Sequence, residues 1–494
     1  MSAKIGQIEQ QLLRHPNVSA AIVRLCEGES GKKQLAACVA TGLPESKSSP
    51  PNTSKCWGQN MVDRWKTLYE LTYAKGPAAP SFVGWNSSYT RQPISEEQMQ
   101  AWLCATVARI RALRPRRILE IGCGVGLLLQ HLAPSCCEYV GTDISVSAIA
   151  KLKAWLRDRG DLKNVTLLHR PATDFASFET GHFDMVVLNS VVQYFPNISY
   201  LLTVIERAAE LLGYDRHIFI GDVRHLGLLS MFHSAVQLSR ETGPATVGEL
   251  RRRVTRSMAQ ESELVIDPAL FKALPGNLAG IGAADVQLKR GRSPNELTRH
   301  RYDVVLRTGN PISPSPLCES VDWQTTFESV SQFERCLQSR RWRALHLTDI
   351  PNSRVAMEAM TQRLVDTSDL KLPVSELYRL VTDLKLQDTD PERFWELAEE
   401  YGYEASVTWS CRGISDCFDV LLLDRSQSID VTPAAVFPPK PWNAYANDPW
   451  ENCLRQQLVP VLKQYLKECM PEEMIPSDWT VVEQISHSLR VEWT

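Results

Sequence analysis

Residues 118–126 read ILEIGCGVG, and the reading of this stretch decides the fold. An apolar, β-branched run enters three alternating glycines, Gly122, Gly124 and Gly126, and a helical pattern resumes at Leu127. Glycines at such spacing let the backbone turn tightly and approach a ligand, with a helix N-terminus facing its anionic end. The dinucleotide fingerprint needs glycine or alanine three places after Gly124, where Leu127 stands instead. Glu120 precedes the loop, and Asp143 closes the next apolar run, placed to accept from ribose hydroxyls. After a third run come Asp174, suited to an adenine amino group, and Phe175, suited to packing on its ring. The plainer reading is an ordinary strand–helix turn with Asp143 as a helix cap. Glycines and acids falling in order at the ends of successive strands favour ligand binding, because open α/β sheets bind there.

Outward from the loop, strands and helices alternate. The pattern predicts strands at 117–122, 139–144, 165–169, 183–189 and 217–223, then at 286–289 and 302–307, with helices such as 148–157 and 200–212. This is an α/β pattern with a parallel sheet covered on both faces. The final glycine comes two places after Gly124, which resembles the loop that binds S-adenosylmethionine. Residues 224–283 part the fifth and sixth strands with helical sequence, a length that suggests a lid. Further strands are expected at 343–347 and 418–423, and Ser/Pro/Lys-rich residues 42–54, Pro-rich 310–316 and 432–449 read as linkers.

Composition sets outer limits. The 494 residues predict two to four domains, at roughly 100–200 residues each. Lys plus Arg is 54 against 57 Asp plus Glu, a net charge of -3, which argues against a nucleic-acid partner. No apolar run reaches the ~18 residues of a membrane helix, and the N-terminus has no apolar signal segment. The 13 cysteines contain no Cys-x-x-Cys pair, as expected of reduced cytoplasmic thiols rather than disulfides or a metal site.

Longer motifs carry a resemblance. FVGWNSSYT (82–90), NSVVQYFPN (189–197), GDVR (221–224), NELTRHRYDVVLR (295–307), IPNSRVAMEAM (350–360) and GYEASVTWS (402–410) resemble the methyltransferase domains embedded in nonribosomal peptide synthetases. IGQIEQQLLRHPNVSAAIV (5–23) and LRQQLVPVLKQYLKECMPEEMIPSDW (454–479) resemble two pieces of an adenylation domain's small C-terminal subdomain. The resemblance implies a class I S-adenosylmethionine-dependent methyltransferase with a seven-stranded Rossmann-like sheet, an accessory α/β region and a discontinuous α/β subdomain from the chain ends. The expected division is 1–45 first subdomain piece, 46–59 linker, 60–309 methyltransferase core with lid 224–283, 310–430 accessory region, 431–449 linker and 450–494 second piece. Arg490-Val491-Glu492 replaces the expected Asn-Gly-Lys, so the catalytic lysine is absent. The chain is expected not to activate amino acids and looks like an excised or free-standing tailoring unit.

The implied activity is methylation of the α-amine of an aminoacyl or peptidyl group, carrier-bound or free, in secondary metabolite biosynthesis. O- or C-methylation of a small metabolite is the alternative, and a non-catalytic docking remnant of a synthetase a second one. A free α-amine has a pKa of about 7.7–8.0, so positioning and desolvation could supply most of the rate. Three places could accept the proton or orient the lone pair: Asn189 with Gln193 and Tyr194; Asp222 and Arg224 leading to Phe232 and His233; and Glu296 with Arg299. Asn189 also stands beside the cofactor, with Glu120, the three glycines, Asp143, Asp174 and Phe175. Trp85, Asn86 and Tyr89 are expected to close over the site. Plainer readings compete at each position: core packing for Tyr194, a structural histidine for His233, a surface ion pair for Glu296 and Arg299, and a lid contact for Trp85 and Tyr89. Cys123 reads as a small spacer, Cys136 and Cys137 as strand-edge packing. The run Arg251-Arg252-Arg253 reads as a solvated helix face or a carrier-protein contact.

Overall fold

A computed structural model describes residues 2–27, 33–41, 51–76, 80–241, 243–311, 319–426, 440–482 and 485. The motif at 490–492 and most of the stretches read as linkers lie outside these residues. The chain divides into two compact units, one made largely of its two ends and one of residues 62–258 and 263–447.

In the first unit, strands Val18–Glu27 and Lys33–Thr41 pair antiparallel, and strand Asp478–Val482 joins the second of them in parallel. Helices Ser2–Leu13 and Pro449–Cys469 supply the rest of its core. Ile8 and Leu12, one turn apart, pack with Val18, Val39, Leu458, Leu462 and Leu466. Gln11 Nε2 donates to the Tyr465 hydroxyl at 3.2 Å across the two chain ends. Leu13, about 100° further round the helix than Leu12, is 48% exposed.

The second unit is built on a seven-stranded sheet. Its strands are β1 (Arg117–Ile121), β2 (Glu138–Asp143), β3 (Val165–His169), β4 (Met185–Asn189), β5 (His217–Arg224), β6 (Ile281–Leu288) and β7 (Arg301–Thr308). Their spatial order is β3-β2-β1-β4-β5-β7-β6, with β7 antiparallel to both neighbours. The central strand β4, MVVLN, is buried throughout, as a strand covered on both faces must be. Helix Ile198–Leu212 covers one face, burying Leu201, Val204, Ile205, Ala208 and Leu212. Helix Glu96–Ala112 covers the other, burying Met99, Trp102, Leu103 and Ile110. The strand order reverses between β1 and β4, which opens a crevice at their C-terminal ends.

A second sheet follows, with β8 (Glu319–Asp322), β9 (Ala344–Pro351), β10 (Tyr403–Trp409) and β11 (Cys417–Asp424) in the order β8-β9-β11-β10. Between β5 and β6 lie helices Leu229–Ser239, Val247–Ala259 and Ala269–Ala273. Leu238, Val247 and Leu250 from the first two share a small core with Val365, Val374, Leu377 and Val381 of the accessory region. Arg251, read as a solvated cation, is drawn inward and donates to the Val365 carbonyl at 2.8 Å. Arg253 pairs with Glu241. A helix, Pro51–Lys75, runs through much of the 46–59 stretch expected to be a linker. No described helix is long and apolar enough to cross a membrane.

Candidate functional site

The glycine loop leaves β1 with Gly122 at φ +77° and Gly124 at φ +51°, a region that side chains other than glycine rarely adopt. A Cβ on Gly122 would lie 2.6 Å from Val191 Cγ2, and one on Gly124 would lie 3.1 Å from the Tyr73 hydroxyl. Gly126 (φ +81°) lets helix Val146–Arg157 approach through Leu152. Asp143, at the end of β2, holds this loop directly. Its Oδ2 accepts from Gly124 N–H at 2.8 Å and its Oδ1 from Ser145 N–H at 2.7 Å. A carboxylate offers about four lone-pair sites, so two remain for hydroxyl donors. Burial pushes the Asp143 carboxyl up, and these two N–H groups pull it back.

Asp174 follows β3 in a tight turn, accepting from Ala176 N–H at 3.0 Å, with its side chain 39% exposed and so open to a ligand. Phe175 packs against the main core. Glu120 is placed differently. It lies within β1, 3% exposed, and its Oε2 accepts from the Tyr139 hydroxyl at 2.6 Å. Burial raises its carboxyl to about 7. The structure puts it behind the loop, as part of the sheet's interior.

Beyond β4, Asn189 and Gln193 are brought together with Tyr194. Asn189 Nδ2 donates to Ser190 Oγ at 3.1 Å, and Ser190 in turn donates to Asp222 at 2.9 Å. Asn189 Oδ1 and Gln193 Oε1 are buried with no hydrogen-bond partner among the described residues. Two orphaned acceptors are costly in a buried place, on the order of 1–3 kcal/mol each, unless a ligand supplies donors. Burial and the Glu263 carboxylate push the Tyr194 hydroxyl up to about 12, while hydrogen bonds from Tyr69 and Gln193 and the charge of Arg301 pull it down.

The third group gathers around Tyr89. Its hydroxyl is 3.2 Å from His300 Nε2 and 3.5 Å from Glu358 Oε1, and Arg299 pairs with the same Glu358 oxygen at 2.8 Å. Burial holds His300 well below its ordinary pKa, with Arg299 and Arg224 adding to the effect. Phe232 lies 5.1 Å from His300 and 6.0 Å from Tyr89, and the His233 ring lies 5.3 Å from that of Phe232. Glu296 is tied elsewhere: it accepts from Ser88 N–H and Ser88 Oγ, both at 2.8 Å, and from Ser87 Oγ at 3.2 Å. Those bonds make it an anchor for the 82–90 loop. Trp85 lies 4.8 Å from Trp102, its ring tilted by 49°, with Arg301 above it, whereas Asn86 is exposed.

Between the groups lies Arg224, paired with Glu263 at 2.9 Å and held over the Phe232 ring. Asp222, fully buried, accepts from Trp102 Nε1 and is paired with Arg301, while Asp303 holds Lys289 at 2.9 Å and Arg109 at 2.6 Å. This ionic lattice fixes the ends of β5 and β7. Among the described residues, no group of three or more His, Cys, Asp or Glu side chains is placed to hold a metal ion.

Tyr69, Tyr73 and Glu263 were not singled out from the sequence. Tyr69 and Tyr73 stand four apart, with Trp65 four earlier, and that spacing was a legible signal of one helix face.

The strand order, the glycine loop and Asp143 give the second unit the fold of class I S-adenosylmethionine-dependent methyltransferases. Residues 119–214 match the family described as "Methyltransferase domain". Chondramide synthase cmdD from Chondromyces crocatus is 33% identical over 96% of this chain, which spans 12% of that synthase. The probable non-canonical nonribosomal peptide synthetase CymA from Salinispora arenicola (strain CNS-205) is 33% identical over 97% of this chain, which spans 6% of its length. The crystal structure of N-methyltransferase NodS from Bradyrhizobium japonicum WM9 with S-adenosyl-L-homocysteine is 15% identical with a TM-score of 0.29, covering 50% of this chain and 98% of that one. Residues 119–214 thus match a methyltransferase domain, and the chain is similar along nearly its whole length to segments of nonribosomal peptide synthetases.

Proposed function

We propose that the protein is an N-methyltransferase whose acceptor is the α-amine of an aminoacyl or peptidyl group in nonribosomal peptide or related secondary metabolite biosynthesis. The acceptor is carried as a thioester on a carrier protein or presented free. The observation that carries this reading is the pair of orphaned amide oxygens, Asn189 Oδ1 and Gln193 Oε1. A primary amine offers an N–H to each, whereas a hydroxyl has one donor and leaves an oxygen unsatisfied.

S-adenosylmethionine, when bound, supplies an electrophilic methyl group. Asn189 and Gln193 hold the two N–H bonds of the amine, which fixes the direction of its lone pair. Tyr194 keeps its proton at neutral pH, so its hydroxyl orients rather than abstracts. As the new N–C bond forms and the methyl's bond to sulfur breaks, its electron pair staying on sulfur as a neutral thioether, the nitrogen becomes cationic, and the Glu263 carboxylate takes the proton that it sheds. Arg224 holds Glu263 in place through an ion pair at 2.9 Å. Tyr89, His300, Arg299 and Glu358 line the acceptor's far side and set which side chain is admitted. Glu296 positions the 82–90 loop that carries Tyr89.

The test is a matched panel of α-aminoacyl and α-hydroxyacyl carriers with labelled S-adenosylmethionine, read by fragmentation mass spectrometry. Methyl label on nitrogen is expected. Label on the hydroxyacyl oxygen, with the aminoacyl substrates untouched, overturns the reading.

A further inference from the structure

Helix Pro51–Lys75 carries Trp65, Tyr69 and Tyr73 at four-residue intervals, so the three rings form one stripe. The stripe runs from the glycine loop to the acceptor group. Tyr73 begins it, with its hydroxyl 3.1 Å from where a Cβ on Gly124 would stand. The Tyr69 centroid is 5.3 Å from Tyr73 and 5.0 Å from Tyr194, and Trp65 lies 4.7 Å from Tyr194.

Two helices hold the stripe there by capping each other. Glu70 accepts from Val146 N–H at 2.5 Å and Ser147 N–H at 3.1 Å, in the first turn of helix Val146–Arg157. Lys151 of that helix donates to the carbonyls of Tyr73 (2.5 Å), Ala74 (3.1 Å) and Gly76 (2.5 Å), where the aromatic helix ends. An anion thus sits at one helix N-terminus and a cation at the other's C-terminus, each satisfying orphan backbone groups and the helix dipole.

Aromatic rings add a negative π face that attracts cations, most strongly where water is excluded. The cofactor's sulfonium is a fixed cation, and the product's thioether is neutral. We propose that Trp65, Tyr69, Tyr73 and Tyr194 form a charge-reading wall that binds the sulfonium of S-adenosylmethionine and discriminates against uncharged S-adenosylhomocysteine. This rests on the cofactor assignment made above. Its consequence is that transfer of the methyl group abolishes the attraction, so spent product is held less tightly.

Calorimetry on the full chain tests it, with S-adenosylmethionine and S-adenosylhomocysteine titrated separately. Tyr69→Leu and Tyr73→Leu should lower the ratio of the two affinities on the order of three- to thirty-fold, while Tyr69→Phe and Tyr73→Phe keep it. Fluorinated phenylalanines at 69 or 73 preserve shape and weaken the π face, so the ratio should fall stepwise with fluorine number even if the leucine variants fold poorly. Equal weakening of both ligands by fluorination, or a ratio indifferent to it, overturns the wall but leaves the cofactor assignment standing. Failure of the unaltered protein to bind either ligand overturns both.

Discussion

At the residue scale, two carboxylates in adjoining strands do opposite things. Asp143 faces the crevice and holds Gly124 and Ser145 by their N–H groups. Asp143→Ala removes both the loop's anchor and an acceptor for ribose, so affinity for S-adenosylmethionine should fall by the equivalent of about 1.5–3 kcal/mol. Calorimetry checks this, and undiminished affinity would remove Asp143 from the site. Glu120 faces the interior, and burial raises its carboxyl from the ordinary glutamate value of about 4.3 to about 7. The folded state therefore binds more protons than the unfolded chain between those values, and stability falls as pH rises through that window. Above about pH 7 the loss levels off, at roughly 3 kcal/mol. Glu120→Gln keeps the shape and abolishes the charge, so its melting temperature should match the parent near pH 5 and exceed it at pH 8. Melting curves at the two pH values decide this. The sequence suggests Glu120 as a cofactor residue because it abuts the glycines, and in the structure its side chain is buried against the Tyr139 hydroxyl.

At the scale of elements, what was legible followed how local the signal is. Strands β1 to β5 are short apolar runs, buried nearly throughout except for the edge strand β3, and the sequence bounded each to within two residues. β6 starts at Ile281, earlier than the expected 286, because its opening residues Gly282, Ala283 and Ala284 carry little hydrophobic signal. β10 was quoted as a motif without being assigned as a strand, since YEASVTW alternates only weakly. Helix Pro51–Lys75 was missed for a different reason: its Pro, Ser and Lys opening reads as a linker, and its aromatic stripe gains meaning only against Tyr194, far along the chain. Glu263 is hidden likewise, because only the folded segment between β5 and β6 brings it to Arg224. The mutual caps make that helix testable as an element. Lys151→Met strips three carbonyls of their cation and should loosen the end of the helix by about 1–2 kcal/mol. Amides at 62–75 should then exchange faster with solvent by hydrogen-exchange mass spectrometry, and those of β4 should not. Unchanged exchange at 62–75 would mean that the packing of the stripe alone holds the helix.

At the scale of the whole molecule, the chain ends build one unit from pieces that could not stand alone. Residues 2–41 offer a helix and a hairpin, and residues 449–482 a long helix and one strand. A two-stranded hairpin is marginal in water, and the single strand has no partner within its own piece. Joined, they form a three-stranded sheet with Ile8, Leu12, Val39, Leu458, Leu462 and Leu466 fully or nearly fully buried. The apolar spacing of each helix was legible in the sequence, but the parallel pairing of Lys33–Thr41 with Asp478–Val482 was not, since no local pattern specifies a partner so distant. Deleting residues 1–40 should therefore expose the leucines of helix Pro449–Cys469 and leave the strand at 478–482 without its ladder. Each leucine so exposed forfeits roughly 1.5–3 kcal/mol of burial, more than a single helix can absorb. Limited proteolysis should then cut within 449–482 in the truncated protein and spare the intact one. The glycine loop, Asp143 and the residues after β4 draw their contacts from the other unit, so calorimetry should find affinity for S-adenosylmethionine nearly unchanged. Protection of 449–482 after the deletion would show that this segment folds without its partner, and loss of cofactor binding would show that the methyltransferase depends on the terminal unit.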